Sequence, residues 1–121
     1  MGPDIERAAK ENMTVYCFVE ASMLRFADHF RDVPNGTIAI FSENDDIFEV
    51  REKLPNCAVV GGIPCNLLKN GTKEENIDHV KKVIDALGDH GLTLSQDKMV
   101  SFAQDFDRDN MLAVMEYVRG L

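Results

Sequence analysis

The stretch Gly61-Gly62-Ile63-Pro64 directly follows an apolar run, Cys57-Ala58-Val59-Val60, and together they decide the fold class. The apolar run is typical of a buried strand. Paired glycines at the end of such a strand let the backbone turn sharply or approach a neighbouring group closely. In parallel α/β proteins, ligands bind at that end of the strands. The segment therefore predicts both a parallel α/β fold and its ligand-binding side.

Three further apolar segments predict strands on either side of this one, over Thr14–Val19, Thr37–Phe41 and Leu92–Leu94. The first two are apolar without alternation, which predicts strands buried on both faces. Apolar residues at helical spacing lie between the strands, and a short helix over Ile5–Lys10 precedes them. A leading helix and four strand–helix units predict a parallel sheet with right-handed crossovers. This pattern leaves open a small doubly wound sheet and one half of an eight-stranded barrel.

Helix-capping signals support the predicted order. Thr72 with Glu75 three residues later forms a capping box, and Gly88 is a good end for that helix. Asp46 is predicted to cap the helix before the third strand, and Asp107 or Asp109 to begin the last one. The methionines at helical spacing, Met23, Met111 and Met115, are predicted to lie in the core. The long connection Ser95–Phe106 is a segment of the kind that often carries function.

Composition narrows the function classes. The 121 residues fit one domain, 1–121, and 45% are hydrophobic, but no apolar run approaches the roughly 20 residues of a membrane span. A net charge of −8 argues against nucleic acid as a partner. The N-terminus carries no apolar secretory signal. Cys17, Cys57 and Cys65 lack metal-site or disulfide-framework spacing, so reduced thiols and a cytoplasmic location are expected.

Four segments of the second half stand out together: Gly61-Gly62-Ile63-Pro64-Cys65-Asn66-Leu67-Leu68, Asn70-Gly71-Thr72-Lys73-Glu74-Glu75, Val80-Lys81-Lys82-Val83-Ile84-Asp85 and Asp109-Asn110-Met111-Leu112-Ala113. In order and spacing they resemble the C-terminal half of the uroporphyrinogen decarboxylase family, which also contains cobalamin-dependent methyltransferases. Asp109 stands where that family usually has Glu. The likeness extends more weakly back to about Thr14, and only the combination of segments is specific.

The resemblance implies a (β/α)8 barrel of which this chain holds only the last four units. Half a barrel has two open sheet edges and an apolar inner face. We therefore expect the chain to pair with a second copy as a homodimer, or with a separate N-terminal half-barrel. The alternative is an open sheet covered by helices.

The resemblance also implies a cofactor and a set of ligands. In the methyltransferase branch a His-x-Cys pair and a later Cys hold zinc, but Phe18 and Glu20 fall at the first two positions and the segment Leu94-Ser95-Gln96-Asp97 contains no Cys. A standard zinc site is therefore not expected, and a corrinoid remains the cofactor that the family implies. The tetrapyrrole decarboxylase branch needs no cofactor, and its catalytic Asp lies in the half that is absent here.

Glu20 and Asp97 are the candidate catalytic residues, because two carboxylates facing each other across a barrel mouth can act as acid and base or bind a hard cation. The simpler interpretation is that Glu20 caps a helix and Asp97 is a solvated loop residue. Candidate substrate-binding residues are Gly61, Gly62, Pro64, Cys65 and Asn66. The three histidines, His29, His79 and His90, are predicted to lie on the surface.

The expected parent activity is corrinoid-dependent methyl transfer or tetrapyrrole decarboxylation, with a small molecule or a corrinoid protein as substrate. The competing expectation is a non-enzymatic fragment or an assembly subunit. An unrelated flavodoxin-like domain is disfavoured, because the first strand is not followed by a phosphate-binding loop.

Overall fold

The structure, a computed structural model, describes residues 3–19, 22, 24–43, 45–97 and 106–121. Its strands are β1 (Val15–Val19), β2 (Ile38–Ser42), β3 (Ala58–Ile63) and β4 (Leu92–Gln96). Its helices are α1 (Pro3–Lys10), a 3₁₀ helix (Leu24–Phe30), α2 (Ile47–Lys53), α3 (Cys65–Asn70), α4 (Lys73–Leu87) and α5 (Arg108–Arg119). None of these helices is both long and apolar enough to cross a membrane.

The four strands form one parallel sheet in the order β1-β2-β3-β4. The prediction of an α/β fold with four strand–helix units is therefore confirmed. Because the strand order never reverses, right-handed crossovers bring the connecting helices to one face of the sheet. A doubly wound sheet reverses its order and has helices on both faces, whereas a barrel is wound in one direction. The topology is thus consistent with half of a (β/α)8 barrel.

The helix-covered face of the sheet supplies the core. Alternate strand residues, among them Ile38, Ile40 and Val59, pack against α2, α4 and the 3₁₀ helix in the larger of two apolar clusters. The smaller cluster joins the carboxyl end of β3 to α3, α4 and α5 through Ile63, Leu68, Val80 and Val114.

The other face of the sheet, which we call the open face, is formed by the remaining strand positions: Tyr16, Phe18, Ala39, Phe41, Ala58, Val60, Thr93 and Ser95. Its middle is buried, at Ala39 (4% exposed) and Val60 (9% exposed), and its β1 side is exposed. Tyr16 is 63% exposed and Phe18 is 45% exposed, and burial alternates along β1. The prediction that β1 is buried on both faces is therefore wrong for this chain, because only its helix side is covered.

Several local predictions are confirmed, and others need correction. The capping box at Thr72 and Glu75 is present, and the side chain of Asp107 caps α5. The helix after β1 is a 3₁₀ helix, and α3 was not foreseen. Met115 is 50% exposed, so its predicted place in the core is wrong: α5 packs mainly along α4 through Val114 and the positions around it. Met23 lies outside the described residues.

Two buried asparagines fasten the short helix α3 to its neighbours. The amide of Asn76 donates to the carbonyls of Leu67 and Thr72, at 3.0 and 2.8 Å. The amide of Asn110 donates to the carbonyls of Leu68 and Gly71, both at 2.9 Å. Asn110 belongs to one of the segments that carry the family resemblance, so that segment has a structural role here.

Arg51 links α2 to the connection between α4 and β4. Its guanidinium donates to the carbonyls of Leu87, His90 and Gly91 at 3.4, 2.6 and 2.9 Å, and it lies 3.6 Å from a carboxylate oxygen of Asp89. The side chain is only 10% exposed, and hydrogen bonds to main-chain carbonyls satisfy most of its donors there.

Candidate functional site

The carboxyl ends of β2, β3 and β4 meet at one edge of the sheet, where a cavity of about 340 Å³ lies between α2 and α4. Its apolar walls come from the strands and from Ile47, Phe48 and Val50 of α2. Its polar lining consists of Ser42, Asp45, Asp46, His79, Lys82 and Asp97. A concave site with apolar walls and a few converging polar groups is the usual form of a small-molecule pocket.

The glycine pair belongs to β3 itself and lines this cavity. Gly61 and Gly62 have φ angles of +142° and +94°, which side-chain-bearing residues rarely adopt. A Cβ on Gly61 would lie 3.7 Å from Ile47 Cδ1, an ordinary contact, but a Cβ on Gly62 would lie only 2.8 Å from Val83 Cγ1. Gly62 is therefore needed because α4 packs directly against the strand. At Gly61 the missing side chain leaves space at the cavity wall.

Asp97 joins the end of β4 to the start of α3. Its backbone N–H donates to the carbonyl of Ile63 at 3.0 Å, and its carboxylate oxygen Oδ1 accepts from the N–H of Cys65, also at 3.0 Å. Because an oxygen of the carboxylate already has this partner, Asp97 has a structural function in addition to its place on the cavity wall.

The predicted site residues are only partly brought together. Gly61, Gly62, Pro64 and Asp97 all line the cavity, whereas Cys65 and Asn66 lie in α3 outside its lining. Asn66 is exposed, and its side-chain oxygen accepts from Asn70 at 2.8 Å. Glu20 lies outside the described residues, so its pairing with Asp97 remains a prediction.

Asp45 belongs to the acidic stretch at 44–46, for which the sequence predicts helix capping in preference to contact with a cation. Its carboxylate accepts from Ser22 Oγ through one oxygen and from Ser42 Oγ through the other, both at 2.7 Å. It thereby connects the end of β2 to the segment after β1. The predicted cap is present at Asp46, whose side chain accepts from the N–H of Phe48.

His79 was predicted to lie on the surface, and that prediction is wrong. The residue is half-buried in α4 and faces the cavity. Burial lowers the pKa of its imidazole, and the nearby Lys82 lowers it further, while Asp46 and Asp97 act in the opposite direction. The ammonium of Lys82 lies 5.4 Å from the ring centre of Phe48, at the same cavity. The helical position of His79 relative to Val80 and Val83 was the signal that could have revealed its orientation.

The cavity is too small for a corrinoid or a tetrapyrrole macrocycle, since about 340 Å³ is near the lower limit of small-molecule pockets. Such a ligand would need the wider mouth of a complete barrel.

Within residues 3–19, 22, 24–43, 45–97 and 106–121, no group of three or more His, Cys, Asp or Glu side chains is placed to hold a metal ion. Comparison with known proteins identifies no family model, no curated protein and no solved structure that matches the chain.

Proposed function

We propose that the chain is the C-terminal half of a uroporphyrinogen decarboxylase-like barrel and is incomplete on its own. Its parent activity is corrinoid-dependent methyl transfer or tetrapyrrole decarboxylation, performed in the cytoplasm. The observation that carries this proposal is the sheet topology: four parallel strands in sequential order, with a helical layer on one face and an apolar open face on the other. This is the arrangement that half of a (β/α)8 barrel requires.

The position of the predicted site supports the same proposal. Asp97 and the glycine pair lie at the carboxyl ends of the strands, the end at which barrel enzymes bind their substrates. Pairing with a partner half would extend this mouth from one small cavity to a ring of eight strand ends. Only then would a macrocyclic ligand have enough contact surface.

A decisive assay measures methyl transfer from methylcobalamin and decarboxylation of uroporphyrinogen, with the chain alone and after mixing with an N-terminal half-barrel of the same family. We expect no turnover from the chain alone and turnover from the mixture. Absence of turnover in both conditions would reject the enzymatic proposal.

Asp97→Asn refines the assay, because an amide oxygen can still accept from the N–H of Cys65 at the observed 3.0 Å while the negative charge is lost. If Asp97 acts in acid–base chemistry, turnover should fall by roughly 10²–10⁴-fold with the fold intact. The exposed Asp28, which pairs with Arg31 at 2.7 Å, provides the control Asp28→Asn. Glu20→Gln should lower bound divalent metal if the two carboxylates form a cation site, and unchanged metal content would reject that site.

The second candidate is an assembly subunit without chemistry of its own. It is favoured by the aromatic pair on the open face, where Phe18 lies 5.1 Å from Phe41 between ring centres. Phe18 is the residue that aligns with the zinc-binding His of the methyltransferase branch. An apolar ring at that position suits packing against a partner better than it suits metal chemistry.

A further inference from the structure

We propose that the partner that covers the open face is a second copy of this chain, and that two copies close an eight-stranded barrel. This inference rests on the half-barrel in the proposed function and specifies its partner. The open face has no charged side chain among its eight described positions, although the whole chain has a net charge of −8. Two copies can therefore pack these faces together without opposing their charges there.

The edge formed by β1 is available for pairing. The N–H of Val15 donates to the carbonyl of Thr37 on the β2 side at 2.7 Å. Main-chain groups of successive residues in a strand point in opposite directions, so those of Tyr16 and Phe18 point away from β2. Among the described residues, the sheet contains no strand beyond β1. These two residues therefore offer donors and acceptors that an added parallel strand would satisfy.

The edge formed by β4 is available in the same way. The N–H of Asp97 donates to the carbonyl of Ile63 in β3 at 3.0 Å. By the same alternation, the main-chain groups of Gln96, Leu94 and Leu92 point away from β3. In the part of the chain that the structure describes, the sheet thus has one free parallel edge on each side.

One twofold axis would pair both free edges at once. Each strand of an eight-stranded barrel occupies about one eighth of the circumference, so four strands span half a turn. Rotation of one copy by half a turn about the barrel axis brings its β1 beside β4 of the first copy, and its β4 beside the first β1. All eight strands then remain parallel, and the same operation covers both open faces.

The exposed surface area is large enough to include an interface with a second copy. The chain exposes 7644 Å². A compact monomer of 13.6 kDa is expected to expose roughly 6,600 Å², so this chain exposes about 1,000 Å² more. A stable interface of standard size buries about 800 Å² per partner. The excess is therefore sufficient for a dimer.

The first test measures the mass of the intact chain in solution by light scattering at micromolar concentration, together with hydrogen exchange of individual amides. We expect twice the chain mass of 13.6 kDa. We also expect the edge amides of Tyr16, Phe18 and Leu94 to exchange at least about 100-fold more slowly than solvent-exposed amides, as amides within a continuous ladder do. A dimer whose edge amides exchange freely would overturn the proposal, because it would form through another surface.

A matched pair of variants tests the surface directly. Phe18→Lys places a charge on the open face and should raise the dimer dissociation constant by at least about 100-fold. Met115→Lys changes a side chain of similar exposure, 50% against 45%, on the outer helix α5, and should leave the dimer intact. If both variants remain dimeric, or if Met115→Lys is the one that dissociates, the proposal is wrong.

Tyr16→Pro keeps the test decisive if Phe18→Lys does not fold. Its missing N–H would be on the free edge, where proline is compatible with a strand, but it would interrupt the ladder between copies. A folded, monomeric Tyr16→Pro variant supports closure through the edges, and a dimeric one overturns it. A monomeric wild-type chain would also overturn the second-copy proposal. A monomeric chain would not contradict the proposed function, which the turnover assay with an N-terminal half-barrel tests separately.

Discussion

Replacement of Gly62 by alanine should be among the most destabilising small changes in the protein. The φ angle of +94° would strain any side-chain-bearing residue, at a cost of about 1–3 kcal/mol. The new methyl group would also lie 2.8 Å from Val83 Cγ1 and 3.3 Å from Leu94 Cδ2. Because Val83 is fully buried, this overlap adds about 1–3 kcal/mol. We therefore expect a loss of roughly 2–6 kcal/mol in the free energy of unfolding.

Gly36→Ala is the matched control, since Gly36 has a similar φ of +78° but no atom within 4 Å of a Cβ built there. It reports the backbone strain alone, at about 1–2 kcal/mol. Urea unfolding followed by circular dichroism, at one fixed protein concentration, measures both variants. Equal losses for Gly62→Ala and Gly36→Ala, within about 0.5 kcal/mol, would refute the close-packing argument.

The double variant Gly62→Ala/Val83→Ala isolates the contact itself. Val83→Ala removes the atom that the new methyl group would approach, so the double variant should lose less stability than the sum of the single variants. A coupling of about 1–2 kcal/mol is expected for residues in direct contact. Strict additivity would mean that the loss arises from the backbone conformation and not from α4.

Three further predictions concern the groups that hold the layers together and can be tested by unfolding experiments. Arg51→Met should lower the free energy of unfolding by roughly 2–4 kcal/mol, because three main-chain carbonyls lose a charged donor. The control Arg31→Met, at an exposed position, should change it by less than about 0.5 kcal/mol. Asn110→Ala should lower it by roughly 1–3 kcal/mol through the loss of two hydrogen bonds, although the carbonyl of Leu68 keeps the N–H of Asp107 as a partner. Asn66→Ala, at an exposed position, should have little effect, and equal losses would contradict the bracing role. Burial, with a smaller contribution from a neighbouring thiol, raises the pKa of Cys57 from 9.0 to about 11, so the folded state holds this proton more tightly and stability should fall as pH rises across that window. The decline should be smaller in Cys57→Ala, and an identical pH profile would contradict this assignment.

Much of the fold could be predicted because its signals are local. The capping box at Thr72 and the caps at Asp46 and Asp107 depend on residues within three positions of each other. The strands are continuous apolar segments between turn residues. Their boundaries moved by one to three positions, most clearly in β3, which continues through the glycine pair to Ile63.

The candidate site could be predicted less well than the fold, because its contacts join residues that are far apart in the chain. Asp45 reaches Ser22 across 23 positions, and Asp97 reaches the N–H of Cys65 across 32. The orientation of His79 toward the cavity depends on which side of α4 packs on β3. The two carboxylate contacts leave no periodic signal in the sequence, whereas the helical spacing of His79 relative to Val83 does.

The sequence by itself determined the class of fold, the order of its elements and the position of the glycine pair at the carboxyl end of a strand. Hydrophobic periodicity and capping residues act locally, so a single chain is enough to read them. Only the tertiary structure decided that the strand order never reverses, that helices occupy one face, and that Tyr16 and Phe18 are exposed on the other. It also assigned Gly62 its reason, since the need for glycine there comes from the approach of α4 and not from the turn that follows. Such facts depend on how distant segments pack, and apolar strands look alike in sequence whether one face or both are covered.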